Sequence, residues 1–293
     1  MISETKKKEI DNIVFDVLNK SKSLGIYPTP VDNILKYSDL RVNTGVDLSK
    51  ISNNFFAKQG LNFKRGITKI RGVLDRREKV IYLDLTQLEQ KKRFVKLHEI
   101  GHESLFWQGR LHDFLDDDQT LDPDINEEFE AEANYFASGS LFQLELFNDK
   151  VQELPLELSS CIELSKIFGS SIHSSLRRYV EQSKKRCALL VLDKMQTIEY
   201  GFPKLSLRNY FQSTSFTSSF GNLIWDNEIG FELPFVQNYI SRRRFIKSEL
   251  VIDIDTKSID CHYHYFNNGY NIFVLLFPKG ESIKSRTTFI INS

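Results

Sequence analysis

The spacing of hydrophobic residues predicts most elements in the first half of the chain. Apolar positions at helical spacing predict helices over residues 6–23, 31–37, 87–107 and 126–147. The run Lys79–Asp84 is β-branched and aromatic, which predicts a strand directly before the third helix. The first half of the chain is therefore predicted to be mainly helical, with a small sheet.

The second half changes from helical spacing to strand-like runs. Apolar positions before and after Gly169 predict two short helices with the shape of a helix-turn-helix unit. Asn267-Asn268-Gly269, between two tyrosines, predicts a hairpin turn. Three apolar or β-branched runs predict strands: Cys187–Asp193, Leu250–Asp255 and Ile272–Phe277.

These patterns predict an α+β fold in three parts. We place a first domain at residues 1–150, a helix-turn-helix-like subdomain at 151–186, and a mainly β C-terminal domain at 187–293. A length of 293 residues is enough for more than one compact unit with its own core.

Composition and charge narrow the function classes. The 39 basic residues balance the 39 acidic ones, so no net positive charge draws the whole chain to nucleic acid or lipid. The 3 cysteines are far apart, which favours a reducing compartment over a disulfide framework. We find no apolar run of the roughly 18 residues that a membrane helix needs and no signal peptide. A cytoplasmic protein without a membrane partner is expected.

The residues with the clearest chemistry are His98-Glu99-Ile100-Gly101-His102, an HExxH pattern inside a predicted helix. A spacing of four residues stacks both imidazoles on one helical face, where their ring nitrogens can share a Zn²⁺ ion. Glu99 can take a proton from the attacking water and deliver it to the leaving amine. Apolar residues on the same face favour buried, metal-bound histidines over solvated ones.

A catalytic zinc ion needs a third protein ligand, and the next helix offers candidates. Glu130 lies near small residues on the face predicted to pack on the first helix, whereas Glu128 and Glu132 are predicted to point outward. Because an unpaired buried carboxylate is costly, Glu130 is expected to be protonated, paired or metal-bound.

Other polar clusters keep alternative interpretations. Arg242-Arg243-Arg244, with Tyr239 and Phe245, forms either a solvated corner or a site for single-stranded nucleic acid. His262 and His264 share one strand face, where a surface pair is favoured over a second metal site. Three residues are candidates to stabilise the oxyanion, and spacing does not choose among them: His112, Tyr135 and His173.

The segment KRFVKLHEIGH, followed by EAEANYFA at residues 130–137, resembles the ImmA/IrrE family of zinc metallopeptidases. The resemblance extends from about Asn12 to Phe142. It implies a zincin-like helical core, with Glu130 as the third zinc ligand and Asn134 in a supporting position. Residues 163–181 are similar to the helix-turn-helix-like subdomain of such proteins, and the last hundred residues loosely resemble their sensor-like domains.

The family resemblance implies cleavage of a helix-turn-helix transcriptional repressor in response to DNA damage or a similar stress. It also suggests that single-stranded DNA, or else a small molecule, is a signal for the C-terminal domain. Val80, Ile81 and Tyr82 are predicted to bind the substrate, because an exposed edge strand beside the zinc helix can pair with an extended peptide. The alternative is a non-catalytic regulatory binding protein with a structural zinc. Glu99 favours the enzyme, since a structural zinc needs no base.

Overall fold

A computed structural model describes residues 2–50, 72–109, 123–194, 203–254 and 257–281. The described chain has a mixed α+β architecture, as predicted. It divides into two compact units, one of Met1–Phe147 with Lys166–Ser171 and one of Asn148–Ser165 with Ile172–Ser293. The three-part division at residues 150 and 186 stays a prediction.

The first unit combines helices with a small sheet. In chain order its elements are α1 (Glu4–Lys20), α2 (Val31–Tyr37), β1 (Arg41–Asp47), a 3-10 turn (Leu48–Lys50), β2 (Gly72–Asp75), β3 (Val80–Leu83), α3 (Glu89–Ser104) and α4 (Pro123–Phe142). Helix α1 begins earlier than its apolar spacing predicts, because the Ser3 hydroxyl accepts a hydrogen bond from the Lys6 N–H at 3.2 Å and caps the helix.

The three-stranded sheet has the order β1-β3-β2, with β3 parallel to β1 and antiparallel to β2. Both sides of β3 are therefore paired, and the Val80 and Ile81 side chains are buried. The prediction that Val80, Ile81 and Tyr82 form an exposed edge strand is wrong. The local pattern identifies the strand, but its neighbours come from long-range pairing that the pattern does not encode.

Helices α3 and α4 pack directly against each other. Leu97 and Ile100 of α3 and Ala133 and Phe136 of α4 are fully buried. A β-carbon at Gly101 would lie 3.0 Å from Phe136 Cδ1 and 3.3 Å from the Ala133 backbone. The glycine therefore allows the close approach of the two helices that carry the polar residues described below.

Two helices lie where the chain passes from one unit to the other, α5 (Glu145–Glu153) and α6 (Leu158–Ile167). Helix α7 (Ile172–Gln182) follows a turn in which Gly169 has a φ of 61°. The two helices predicted around Gly169 are thus present. Their assignment as a helix-turn-helix subdomain stays a prediction.

The second unit is built on a six-stranded antiparallel sheet of order β6-β5-β4-β9-β8-β7. Its remaining elements are β4 (Ala188–Asp193), β5 (Leu205–Gln212), α8 (Thr214–Phe220), β6 (Glu228–Ile229), α9 (Pro234–Ile240), β7 (Phe245–Ile254), β8 (Lys257–Asn267) and β9 (Asn271–Pro278). The predicted hairpin turn joins β8 to β9, and Gly269 there has a φ of 87°.

Helices cover both faces of the central strands in this sheet. On one face, Phe216 of α8 and Phe235 of α9 pack in a core with Leu190 of β4. On the other face, α7 contacts β4 and β5. This explains why β4 and β9 are continuous apolar runs rather than alternating ones.

Within the described ranges, no helix is both long enough and apolar enough to span a membrane.

Candidate metal centre

Two histidines on α3 direct their ring nitrogens to one point. Residues four apart lie on the same helical face, and the Nε2 atoms of His98 and His102 are 3.0 Å apart. The His98 side chain is only 2% exposed, and His102 is half-buried at 16%. The two imidazoles meet nearly edge to face, with an angle of 87° between their planes.

Glu130 on α4 completes a triangle of possible ligand atoms. Its Oε2 lies 3.4 Å from His98 Nε2, and its Oε1 lies 3.4 Å from His102 Nε2. Ligand atoms around a tetrahedral zinc ion are about 3.3 Å apart when each is about 2.0–2.1 Å from the metal. The spacing of the three side chains therefore fits a zinc ion.

Burial and charge shift the pKa values of this group. Burial would raise the pKa of Glu130, but its hydrogen bonds with His102 and His98 outweigh burial and hold the pKa well below its usual range. Burial would lower the pKa of His102, but the hydrogen bond with Glu130 and the charge of Glu99 outweigh it and raise the pKa. Glu130 is thus an anion that faces the imidazoles, as a metal-binding carboxylate must be.

Glu99 lies between the two histidines in sequence and faces β2. Burial raises the pKa of its carboxyl, and the charges of His102 and His98 and a hydrogen bond from the Leu74 N–H only partly offset this effect. A β-carbon at Gly72 would lie 2.8 Å from Glu99 Oε1 and 2.3 Å from Val95 Cγ1. Only glycine leaves space at this position for the Glu99 carboxylate.

The burial of the Glu132 side chain differs from the prediction made from the sequence. Glu128 is exposed as expected, but the outward orientation predicted for Glu132 is wrong, since Glu132 is only 2% exposed. Its Oε2 accepts hydrogen bonds from Trp107 Nε1 and Gln108 Nε2, each at 2.8 Å. The chain beyond α3 covers this side of α4, which helical periodicity alone does not reveal.

Gln108 is a residue of this site that sequence reasoning missed. Its Oε1 lies 2.8 Å from His102 Nδ1, and the side chain is fully buried. Gln108 lies six residues after His102 and outside α3, so no helical spacing connects them. A polar residue next to an aromatic one just after an HExxH helix is the only local signal, and it is weak.

The remaining predicted residues are placed as follows. Asn134 is one helical turn beyond Glu130 and half-buried, and its supporting role stays a prediction. The Tyr135 hydroxyl donates a hydrogen bond to Asp11 of α1 at 3.2 Å. His173 belongs to the second unit, and His112 lies outside the described residues. The residue that stabilises the oxyanion is therefore not assigned.

Comparison with known proteins finds a family match over the residues of this site. Residues 60–178, which include the whole α3–α4 pair, match the Peptidase_M78 family, described as the IrrE N-terminal-like domain. No curated protein sequence matches the chain. A solved structure titled "Mycobacterium tuberculosis transcriptional regulator" has a TM-score of 0.54, with 12% sequence identity over 92% of this chain and 75% of that chain.

A similarity at that level of identity concerns the fold alone, whereas the family match covers the residues of the site. His98, His102 and Glu130 all lie within the matched segment and have ligand atoms within 4.8 Å of one another. The resemblance seen in the sequence is thereby confirmed. Residues 60–178, which carry all three possible ligands, thus match the family model of the IrrE N-terminal-like domain, Peptidase_M78.

Proposed function

We propose that this chain is a cytoplasmic zinc-dependent endopeptidase that cleaves a helix-turn-helix transcriptional repressor and so relieves repression under stress. The observation that carries the proposal is the triangle of His98, His102 and Glu130 ligand atoms beside the buried Glu99. A structural metal site has no need of an adjacent base, so Glu99 favours hydrolysis over a non-catalytic regulatory role.

The residues of the site can divide the work of peptide hydrolysis. His98, His102 and Glu130 would hold zinc, which when bound polarises the scissile carbonyl and makes water more acidic. Glu99 would accept the proton of the attacking water and then give it to the leaving amine. The Leu74 N–H, which donates a hydrogen bond to the Glu99 carboxyl, would keep this base oriented between the two transfers.

The substrate strand would pair with β2 rather than with β3. Strand β2 pairs with β3 on one side, and no second strand neighbour of β2 is found in the described parts of the chain. Strand β2 passes by the base, since a β-carbon at Gly72 would approach Glu99 and the Leu74 N–H donates a hydrogen bond to it. A peptide added to that edge by main-chain hydrogen bonds would bring its carbonyl groups to the site.

The test is cleavage of a helix-turn-helix repressor from the same genome by the zinc-loaded, full-length protein. Glu99→Gln should retain zinc and fold but lose about two to four orders of magnitude in cleavage rate, the usual contribution of general acid-base catalysis. Glu128→Gln, on the exposed side of α4, is the matched control and should cleave at the normal rate. A Glu99→Gln protein that cleaves normally would refute the proposed mechanism.

We further propose that residues 187–293 regulate the peptidase by binding a signal, with single-stranded DNA as first candidate and a small molecule as second. A groove of about 640 Å³ in this region supports an anionic ligand. Its lining includes four basic residues: Lys194, Arg242, Arg243 and Arg244. Tyr239 also lines the groove and could stack on a base.

Binding of a single-stranded oligonucleotide at several salt concentrations tests this second proposal. Replacing Arg242, Arg243 and Arg244 together by Ala should weaken binding and reduce its salt dependence, because fewer phosphates are neutralised. Lys247→Ala, which removes an exposed cation of β7 outside the groove lining, is the control. If the triple variant binds as the wild type does, the groove is not the DNA site.

A further inference from the structure

We infer that Glu132 and Gln108 are positioning residues that fix the ring orientation and tautomer of His102 so that its Nε2 lone pair faces the metal position. This inference rests on the proposed metal site and names two residues that act through one of its ligands. It follows from the directions of four hydrogen bonds in a buried chain of side chains.

The chain of hydrogen bonds starts at groups that can only accept or only donate a hydrogen bond. The Phe129 carbonyl oxygen can only accept, and it lies 3.2 Å from Gln108 Nε2. Trp107 Nε1–H can only donate, so Glu132 Oε2 accepts from it at 2.8 Å. The same Glu132 oxygen lies 2.8 Å from Gln108 Nε2. Two acceptors therefore hold the NH₂ group of Gln108.

This arrangement determines which side of the Gln108 amide faces the histidine. With its NH₂ group directed to Phe129 and Glu132, the amide presents its oxygen to His102 Nδ1 at 2.8 Å. An amide oxygen only accepts, so His102 Nδ1 must carry the proton. In a neutral imidazole the other nitrogen, Nε2, then has the free lone pair, which is what zinc requires.

Helix α1 contacts Trp107, the member of this network farthest from His102. The ammonium group of Lys6 on α1 lies 3.9 Å from the centre of the Trp107 ring, a cation–π contact. Trp107 is thus fixed from one side by Lys6 and from the other by Glu132. The network extends from α1 to the Nδ1 side of His102.

His98 has no comparable support in the described part of the chain. Its Nδ1 is buried and has no hydrogen-bond partner there. His102 is therefore the better oriented of the two imidazoles. Loss of Gln108 or Glu132 should weaken metal binding by releasing His102, while the ligand set itself stays complete.

The experiment measures zinc affinity by chelator competition and the His102 tautomer by ¹⁵N NMR in the full-length protein. Gln108→Met keeps the length of the side chain but removes its polar atoms. It should lower zinc affinity by about 10- to 100-fold, as loss of an outer partner of a ligating histidine typically does. In the metal-free protein, at a pH high enough for His102 to be neutral, it should also reduce the share of the Nδ1–H tautomer of His102.

Glu132 supplies the second pair of variants. Glu132→Ala removes the acceptor and should lower zinc affinity, whereas Glu132→Gln keeps an oxygen that can accept from both Trp107 and Gln108 and should restore most of it. Glu128→Ala, on the exposed side of the same helix, is the control and should change neither readout. Rescue by glutamine distinguishes positioning from a general loss of packing.

The two possible failures can be told apart. An unchanged His102 tautomer in Gln108→Met would overturn this inference, even if the variant binds zinc poorly. Absence of zinc binding by the wild type would instead overturn the proposed metal site. The tautomer of the metal-free protein would still show whether Gln108 holds the His102 ring.

Discussion

The molecule contains two pairs of histidines that share one face of an element, and they differ in what surrounds them. On α3, His98 and His102 bring their Nε2 atoms to 3.0 Å from each other and to 3.4 Å from the Glu130 carboxylate. On β8, His262 and His264 also share a face, but a search of the described residues finds no third ligand that would join them in a metal site.

The two histidines on β8 make ordinary packing and polar contacts. His262 and His264 both pack on Phe277, with ring centres 5.6 and 5.2 Å away. His262 Nδ1 lies 3.4 Å from a Glu249 carboxylate oxygen, and the Leu158 N–H donates to His264 Nδ1 at 3.4 Å. A shared face is therefore not enough for a metal site. The ring nitrogens must also converge, and a second element must approach closely enough to add a carboxylate.

The largest expected difference between the two histidine pairs is in bound zinc. His98→Ala or His102→Ala should reduce bound zinc from about one ion per chain to nearly none, because a two-ligand site holds zinc too weakly to survive purification. The matched variants His262→Ala and His264→Ala should keep it. Elemental analysis of the four purified proteins decides the question. Equal loss of zinc from both pairs of variants would contradict the proposed difference between the histidines on α3 and those on β8.

A smaller effect is expected at Gly72, which leaves space for the Glu99 carboxylate. Gly72→Ala places a β-carbon 2.8 Å from Glu99 Oε1, so the base must move. A displacement of about 1 Å in a catalytic group can cost about a hundredfold in rate. We expect a loss of this order in cleavage at unchanged zinc content. Normal cleavage by Gly72→Ala would show that Glu99 does not need its observed position.

Gly101 tests the close approach of the second element. Gly101→Leu would push against Phe136 and the Ala133 backbone of α4, and overpacking of this kind typically costs about 1–3 kcal/mol of stability. It should also weaken zinc binding, since Glu130 lies on the displaced helix. Lys91→Leu, at an exposed position of α3, is the control. Equal stability and zinc affinity in both variants would contradict the role given to helix packing.

The smallest effect concerns the pH dependence that His264 imposes on the second unit. Burial lowers its pKa to about 4, the charges of Lys247 and His262 add to the shift, and Glu157 opposes it. In the unfolded chain a histidine has a pKa of about 6.5. Below that value the unfolded state binds a proton that the folded state does not, so the free energy of unfolding should fall as pH drops from about 6.5 to about 4.

Glutamine at position 264 removes this titration while retaining an acceptor for the Leu158 N–H. Denaturant unfolding of His264→Gln at several pH values should therefore show a shallower loss of stability over the same interval. Identical pH profiles for the variant and the wild type would mean that His264 titrates normally in the folded protein.

Sequence reasoning succeeded where local spacing determines the geometry. The i, i+4 spacing of His98 and His102 predicts that the two imidazoles share a helical face. The meeting with Glu130 of the next helix was predicted by the family resemblance, since spacing alone left Glu130 protonated, paired or metal-bound. The hairpin at Asn268-Gly269 is local in the same sense, because a glycine with positive φ specifies the turn.

Sequence reasoning failed where the outcome depends on segments distant in the chain. The exposed edge predicted for Val80 to Tyr82 was wrong because β1 and β2 both pair with β3. The outward position predicted for Glu132 was wrong because Trp107 and Gln108, beyond the end of α3, cover that side of α4. Helical periodicity gives the direction of a side chain but not what covers it.

The central claim is that His98, His102 and Glu130 hold one zinc ion. The most direct measurement is anomalous diffraction from crystals of the purified protein, recorded just above and just below the zinc absorption edge. We expect a single zinc peak about 2.0–2.1 Å from both Nε2 atoms and from a Glu130 carboxylate oxygen. A zinc peak beside His262 and His264, or none between α3 and α4 in zinc-supplemented crystals, would contradict the account.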